Sequence, residues 1–291
     1  MLNVKDLPLN KQFSRRLVKP DTWLINCYSE SCEAPNPHVL IGEQYALVID
    51  TTDTKQDLRK YLEQYVTDKP LMVASTHSHG DHTLCNGLFN DCPIYMSQIA
   101  WEEIQAGRAT GFKGKDKDYI VGDYVPTIVK EGDIIDLGGR EVEVIRFGGC
   151  HSPGSVAYLD KKYGILFTGD EMESGQVLMQ GEFRGGNNSV ELYRENLLHL
   201  KEYADQFDTI CPPHNGSPMH AKVVDYFIEN CDRIMSGIEG ERDIGSVSYL
   251  LGPHEPRSPE RVKSLRFDPT ARRSEWMGTS IVYSIDRIFK K

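Results

Sequence analysis

Four short segments rich in hydrophobic residues have the length expected of buried β-strands. They lie at 45–49, 71–74, 141–147 and 165–167. In the third run, Val142 and Val144 lie on one side of an extended chain, and Ile145 and Phe147 lie on the other. A strand that is hydrophobic on both sides indicates a sheet with both faces covered. A further run, Thr279–Ser284, predicts a strand near the end of the chain.

Three segments have the periodicity of amphipathic helices, with hydrophobic side chains recurring every three to four residues. They are 58–65, a segment that begins at Asn188 or Ser189, and 224–231. Asp53 or Thr54 is placed to cap the first helix. Because strands and helices are interspersed, the pattern predicts a layered α/β protein whose helices cover sheets.

No linker separates a second domain, so we predict one domain over residues 1–291. The segment 101–126 is polar, contains Gly and Lys, and has little periodicity. It is therefore expected to be an insertion that forms a lid over a site. Residues 240–291 form a C-terminal extension rich in Pro and Arg, in which Arg272 and Arg273 are expected on the solvated surface.

Charge and composition exclude several classes of partner. Lys and Arg number 33 against 43 Asp and Glu, and the net charge of -10 disfavours nucleic acid, which is bound through clustered basic residues. No stretch approaches the roughly 18 apolar residues that span a bilayer, so we expect no membrane association. The N-terminal segment has no secretory pattern, and seven cysteines suggest no disulfide framework. These features predict a cytoplasmic protein.

A dense cluster of potential metal ligands directly follows the second predicted strand. It consists of His77, His79, Asp81 and His82. Imidazole nitrogens and a carboxylate oxygen are donors that suit Zn²⁺ and related metals. The alternate positions 77 and 79 can point together, whereas 81 and 82, past the turn at Gly80, can face a second metal.

Three further potential ligands each follow the end of a predicted strand. They are His151 in GCHSPGS, Asp170 in FTGD and His214 in CPPHNG. Ligand sites in α/β proteins lie beyond strand ends, so these side chains can converge with the first cluster. Each alone is typical of an ordinary loop, but the full set predicts a metal site.

On these residues the chain resembles the metallo-β-lactamase superfamily of metallohydrolases, from about Trp23 to His214. The resemblance implies an αββα sandwich, in which two mixed sheets are covered by helices. It also implies two metal sites bridged by one carboxylate. The first metal is assigned to His77, His79 and His151, the second to Asp81, His82 and His214, and the bridge to Asp170.

The resemblance implies a dinuclear hydrolase that acts on a small-molecule substrate. Two Zn²⁺ ions, with Fe or Mn as alternatives, can hold a bridging hydroxide that attacks an ester, thioester, lactone or related acyl bond. Asp81 is the candidate to orient that hydroxide and carry a proton. Cys150 and Ser152 are interpreted as neighbours of a ligand. Tyr28 and Arg184 are candidate substrate-binding residues, although a solvated role for Arg184 stays open.

Within the superfamily, the pattern is closer to glyoxalase II-like thioesterases, lactonases and phosphodiesterases than to true β-lactamases. True β-lactamases lack the bridging Asp, which is present here as Asp170. The segment FTGDEMESG differs from the usual glyoxalase II continuation, and residues 240–291 do not resemble that family's glutathione-binding helices. RNA-processing members are disfavoured by the net charge of -10.

Three alternatives remain at this level. A non-haem iron oxidoreductase resembling sulfur dioxygenases is compatible with the same donors, although flavodiiron proteins have Glu where this chain has His79. A phosphodiesterase would use the same site. A non-catalytic binding protein is disfavoured because degenerate members lose ligands and this chain retains all seven. The sequence does not determine whether copies form a homo-oligomer.

Overall fold

The computed structural model describes residues 7–27, 35–53, 56–107, 124–179, 188–242 and 270–290. The helices within these ranges are α1 (Leu9–Gln12), α2 (Leu58–Tyr65), α3 (Gly80–Thr83), α4 (Gln98–Gln105), α5 (Val190–Lys201) and α6 (Val223–Met235). Short 3-10 turns occur at Asn86–Phe89, Gly169–Glu171 and Ile285–Arg287.

Two mixed sheets of seven and six strands form the centre of the molecule. The first contains, in spatial order, β1 (Phe13–Lys19), β2 (Thr22–Cys27), β3 (His38–Ile41), β4 (Ala46–Ile49), β5 (Leu71–Ala74), β6 (Ile94–Ser97) and β7 (Thr127–Val129). The second contains β8 (Ile134–Asp136), β9 (Glu141–Arg146), β10 (Val156–Asp160), β11 (Ile165–Phe167), β13 (Thr209–Cys211) and β14 (Met219–His220). A third, smaller sheet contains β12 (Gln176–Leu178), β15 (Ala271–Trp276) and β16 (Thr279–Ser284).

Alternating side chains place the two large sheets face to face. Leu47 and Ile49 of β4 belong to a cluster shared with Val142, Val144 and Phe167 of the second sheet. The intervening side chains of β4 and β5 pack outward against α2, and those of β9 to β11 pack against α5 and α6. The predicted division of the 141–147 run between two faces is confirmed, as is the αββα order of layers.

The predicted N-cap of α2 was wrong. The helix begins at Leu58, and its N-cap is Asp57, whose side chain accepts a hydrogen bond from the Lys60 amide at 3.0 Å. Asp53 is buried and precedes the helix by five residues, too far to satisfy the amides of its first turn. Thr54 lies outside the described residues.

The two helices on the second sheet agree with their predicted hydrophobic faces. Ser189 caps α5 by accepting from the Leu192 amide. The predicted inward side chains of α5 are buried, and those of α6 are buried except for the partly buried Ile228.

The beginning of the predicted lid, Trp101–Gln105, belongs to α4. Trp101 packs on the outer cluster of the first sheet, with its ring 5.6 Å from that of Tyr124. Residues 108–123 of the predicted insertion lie outside the described ranges.

The C-terminal extension supplies two of the three strands of the third sheet. Strand β16 has the predicted bounds, but β15 was not predicted because it carries Arg272 and Arg273. The expected solvation of these arginines was wrong, since Arg272 is 4% exposed and Arg273 9%. Their charges are balanced by Glu239 and Glu241, which explains how they are accommodated.

Among the helices that the structure describes, none is long and apolar enough to span a membrane.

Candidate metal centre

The seven candidate ligands come from segments that follow strands of both large sheets. His77, His79, Asp81 and His82 lie between β5 and the end of α3, at the edge of the first sheet. On the second sheet, His151 follows β9, Asp170 follows β11 and His214 follows β13. The site therefore lies at one end of the sandwich, where the two sheets meet.

The first group consists of His77, His79, His151 and Asp170, each of which offers one ligand atom within 4.8 Å of the others. The His151 Nε2 atom lies 3.0 Å from His79 Nδ1 and 3.3 Å from Asp170 Oδ2. The His77 Nε2 atom lies 3.9 Å from the same carboxylate oxygen. These four side chains are brought together as the resemblance implies.

The second group consists of Asp81, His82, Asp170 and His214, under the same 4.8 Å limit. His214 Nε2 lies 3.2 Å from His82 Nε2 and 3.3 Å from Asp81 Oδ2. Asp170 Oδ1 lies 3.3 Å from His82 Nε2. Asp170 is therefore the one side chain common to both groups.

Two buried atoms of this cluster indicate that its donors fit divalent metal ions. His77 Nε2 and Asp170 Oδ1 have no hydrogen-bond partner among the residues that the structure describes. Leaving buried polar atoms unpaired costs roughly 1–3 kcal/mol each. Coordination would satisfy both atoms, and nitrogen and oxygen donors in sets of four suit Zn²⁺.

Hydrogen bonds to the second ring nitrogen orient three of the histidines. The His77 Nδ1 atom lies 3.0 Å from Thr76 Oγ1, and His151 Nδ1 lies 3.2 Å from the carbonyl oxygen of Leu178. His82 Nδ1 lies 2.9 Å from Asp50 Oδ2. When Nδ1 carries the proton in these contacts, Nε2 is free to bind a metal ion.

Asp50 contacts a candidate ligand, and the sequence reasoning did not identify it. Its buried carboxylate accepts from the Thr76 amide at 2.7 Å and from the Thr76 hydroxyl at 2.8 Å, in addition to His82. Its φ of 57° lies in the left-handed region, which is uncommon for a residue with a side chain. Its position directly after β4, like that of the ligands after other strands, is the signal that could have identified it.

The first group favours neutral histidines. Burial is the largest cause and lowers the pKa of His77, of His151, and of His79 to about 3. The neighbouring histidines lower these values further, since an added positive charge would be repelled. Neutral imidazole is the form that binds a metal ion.

In the second group, nearby carboxylates outweigh burial in setting the pKa of the histidines. Burial lowers the pKa of His214, but the charge of Asp170 and the hydrogen bond to Asp81 outweigh burial and raise it to about 9. The pKa of His82 is raised for the same kind of reason. Burial raises the pKa of Asp81 and Asp170, but the nearby histidines outweigh it and hold both well below the usual range.

Three buried glutamates contact the ligand-bearing loops, and the sequence reasoning identified none of them. Glu103 accepts from Ser78, between two ligands. Glu171 accepts from the His151 amide at 3.0 Å, and burial raises the pKa of Glu171 to about 7. Burial, followed by the negative charge of Asp170, raises the pKa of Glu173 to about 8. The last two lie in the segment that departs from the glyoxalase II pattern.

The other candidates have simpler outcomes. Tyr28 and Arg184 lie outside the described residues. Cys150 is 2% exposed, and burial raises its pKa well above the usual range, so its thiol is not activated as a nucleophile. Ser152 is buried beside it.

Sequence comparisons agree with this geometry. A sequence profile described as the Metallo-beta-lactamase superfamily matches residues 32–214. The acyl-coenzyme A thioesterase MBLAC2 of Bos taurus is 27% identical over 183 residues, which cover 54% of this chain and 64% of that protein. The probable metallo-hydrolase YqgX of Bacillus subtilis (strain 168) is 26% identical over 185 residues, covering 58% of this chain and 81% of YqgX. The chain spans just under two thirds of the length of MBLAC2.

Among solved structures, the metallo-beta-lactamase from Pontibacter korlensis superposes with a TM-score of 0.58. The alignment covers 75% of this chain and 98% of that protein, at 15% sequence identity. At this identity the likeness is one of fold.

Proposed function

Because the chain belongs to the metallo-β-lactamase superfamily, we propose that it is a metal-dependent hydrolase that cleaves an acyl bond of a small molecule. The observation that carries the proposal is the pair of ligand groups that share Asp170. Two adjacent groups with a common carboxylate suit a two-metal hydrolytic site.

The residues that would hold the metal ions are the seven ligands named above, and Zn²⁺ is the ion we propose first. Bound ions would acidify water toward a pKa of about 7 and polarise the carbonyl oxygen of the scissile bond. The site's own side chains supply the binding groups and the route for a proton.

Asp81 is the candidate for proton transfer. Its side chain is 27% exposed, against 7% for Asp170, so it faces both the ligand cluster and solvent. Its Oδ2 atom lies 3.5 Å from His82 Nε2 and 3.3 Å from His214 Nε2. We propose that its other oxygen accepts the proton of the attacking water and returns it to the leaving group.

We propose a thioester as the bond to be cleaved, with an acyl-coenzyme A as the first substrate to test. The similarity to MBLAC2, named as an acyl-coenzyme A thioesterase, supports this choice. In the reaction, water adds to the thioester carbonyl carbon, the carbon–sulfur bond breaks, and the thiol leaves with a proton. The products are a carboxylic acid and a free thiol.

The decisive experiment assays the Zn²⁺-loaded protein against acyl-coenzyme A thioesters, lactones, β-lactams and phosphodiesters. We expect thioester hydrolysis that is lost in Asp170→Asn and retained in Cys150→Ala, because the buried thiol takes no part. Hydrolysis confined to phosphodiesters would contradict the acyl substrate. Fewer than one metal ion per chain, with unchanged activity in Asp170→Asn, would reject the metal-dependent mechanism.

The same protein preparation also tests the alternative that the chain is an oxidoreductase. Metal analysis after expression without added zinc should not find iron as the resident ion. Bound iron, together with oxygen uptake in the presence of a persulfide, would favour a dioxygenase instead.

A further inference from the structure

Glu173 is a buried carboxylate outside the seven-ligand set that contacts the loop carrying His214. It follows Asp170 by three residues and is 7% exposed. Its Oε2 atom accepts a hydrogen bond from Asn215 Nδ2 at 2.7 Å. Asn215 is the residue directly after His214, so Glu173 is connected to a ligand of the second group through one hydrogen bond and one peptide unit.

The neighbours of Glu173 contact the same loop. Ser174 Oγ accepts from the Gly216 amide at 2.7 Å. A side-chain Cβ at Gly175 would lie 2.4 Å from Asn215 Nδ2, so only glycine allows this approach. Three consecutive residues, 173–175, therefore pack against two consecutive residues that follow His214.

The turn that they contact is unfavourable without support. Asn215 has a φ of 59°, in the left-handed region, where asparagine is better tolerated than most residues but still costs about 1 kcal/mol. The bond to Glu173 holds its side chain in this conformation. On the other side of His214, the amide and side chain of Asn36 donate to the Pro213 carbonyl at 2.8 and 3.0 Å.

We infer that Glu173 is a positioning residue for the second metal group: it fixes the turn at Asn215 and thereby the direction of the His214 side chain. The inference rests on the proposed two-metal function. It assigns a role to FTGDEMESG, the segment in which this chain departs from the glyoxalase II pattern.

The test measures metal affinity and does not depend on turnover. Metal-free protein is titrated with Zn²⁺ by calorimetry, and with Co²⁺ by visible absorption, to resolve two binding events per chain. Glu173→Ala should weaken the second event by about 10- to 100-fold, as expected for loss of an outer-shell contact. Glu173→Gln should restore most of the affinity, because its amide oxygen can still accept from Asn215.

Two further variants make the test specific. Asn215→Gly keeps the left-handed backbone accessible but removes the hydrogen bond, so it should reproduce the Glu173→Ala loss. The double variant should show no additional loss, since both changes remove one interaction. Glu103→Ala removes a buried glutamate that contacts Ser78, between two ligands of the first group, and it should leave the second event unchanged.

Several results would overturn the inference. One is an unchanged second event in Glu173→Ala, and another is a Gln variant as weak as the Ala variant. If Glu173→Ala weakens metal binding as much in a His214→Ala protein as in the wild type, its effect does not pass through His214. If Glu173→Ala does not fold, Asn215→Gly carries the test. A wild-type protein that binds fewer than two ions contradicts the proposed two-metal function itself, whereas two ions with no effect of Glu173 contradict the inference alone.

Discussion

The Nδ1 atom of His82 lies 2.9 Å from Asp50 Oδ2, although 32 residues separate the two in sequence. This contact sets the tautomer of His82. When the carboxylate accepts a hydrogen bond from Nδ1–H of a neutral His82, Nε2 is left with a lone pair that faces Asp81 and Asp170.

Substitution Asp50→Asn tests this tautomer control. If the amide nitrogen faces His82, Nδ1 must become the acceptor and Nε2 must carry the proton, which blocks a metal ligand. We expect metal affinity to fall by about 10- to 100-fold. Metal titration followed by calorimetry measures it, with Asp68→Asn, an exposed position, as the matched control. Equal affinity in the two variants would contradict the argument.

Gly169, directly before Asp170, should not tolerate alanine. Its φ is 53°, and a Cβ there would lie 2.6 Å from Thr76 Oγ1 and 2.8 Å from Thr76 Cβ. Gly132→Ala provides the control because Gly132 has a φ of 85° but nothing within 4 Å of its Cβ position. Both variants should lose about 1–2 kcal/mol of unfolding free energy to backbone strain.

Only Gly169→Ala should also lose bound metal, because relief of the clash displaces Asp170. Urea denaturation and metal content measure the two effects separately. Retention of full metal content by Gly169→Ala would show that Asp170 is not held by this approach.

Arg140 and Asp160 form a buried ion pair whose removal should be costly. Both side chains are 0% exposed, with Arg140 Nη2 and Asp160 Oδ2 2.5 Å apart. Arg140 also donates to the carbonyl of Asp21 at 2.7 Å, so the guanidinium links the two large sheets. Asp160→Asn should reduce the unfolding free energy by about 3–5 kcal/mol, because the positive charge would remain buried without its partner.

Asp225→Asn is the comparison for that pair. Asp225 is paired with Lys201 at 2.6 Å, but the two side chains are 27% and 43% exposed. Solvent screening should limit its effect to about 1 kcal/mol or less. Urea denaturation of both variants gives the contrast, and similar losses would contradict the assigned role of burial.

His38 should make the protein less stable in acid. Burial, together with the charge of Arg16, lowers its pKa from 6.5 to about 3 in the folded protein. Between these values the unfolded chain binds a proton at His38 and the folded chain does not. The unfolding free energy should therefore fall as pH decreases through this window, by about 1.4 kcal/mol per pH unit for this group.

His38→Asn should remove that contribution. Chemical denaturation of wild type and variant from pH 7 down to pH 4 compares the slopes. The difference corresponds to one proton, and parallel profiles would show that His38 is protonated in the folded protein.

The sequence predicted those parts of the site that follow from local pattern. Strand β5 and the strand before Asp170 are uninterrupted hydrophobic runs, and the strand before His151 has hydrophobic side chains on both faces, so the convergence of their loops could be anticipated. Asp50 also follows a predicted strand, but its contact with His82 spans 32 residues, and no local pattern reveals that partner. Glu173 was missed for the same reason, since its partner Asn215 lies 42 residues away.

Strand β15 could not be predicted from the sequence for a different reason. Its sequence, ARRSEW, has the charge of a surface loop, and nothing local reveals that Glu239 and Glu241 balance its arginines. The predicted N-cap of α2 was wrong by a few residues. Several side chains near the start of the helix can accept an amide hydrogen bond, and only the backbone geometry selects Asp57.

The third sheet makes the family boundary a poor place to cut the protein. The matched region ends at residue 214, yet Leu178, whose carbonyl contacts His151, lies on β12, and β12 pairs with β16 beyond that limit. The Met179 amide also donates to Val282 at 2.8 Å. A chain ended after residue 214 would retain every candidate ligand and β12 itself, while losing β16, the strand that pairs with β12. Truncating the protein at the end of the matched region would thus keep the ligand residues of the site and remove part of the structure that holds them.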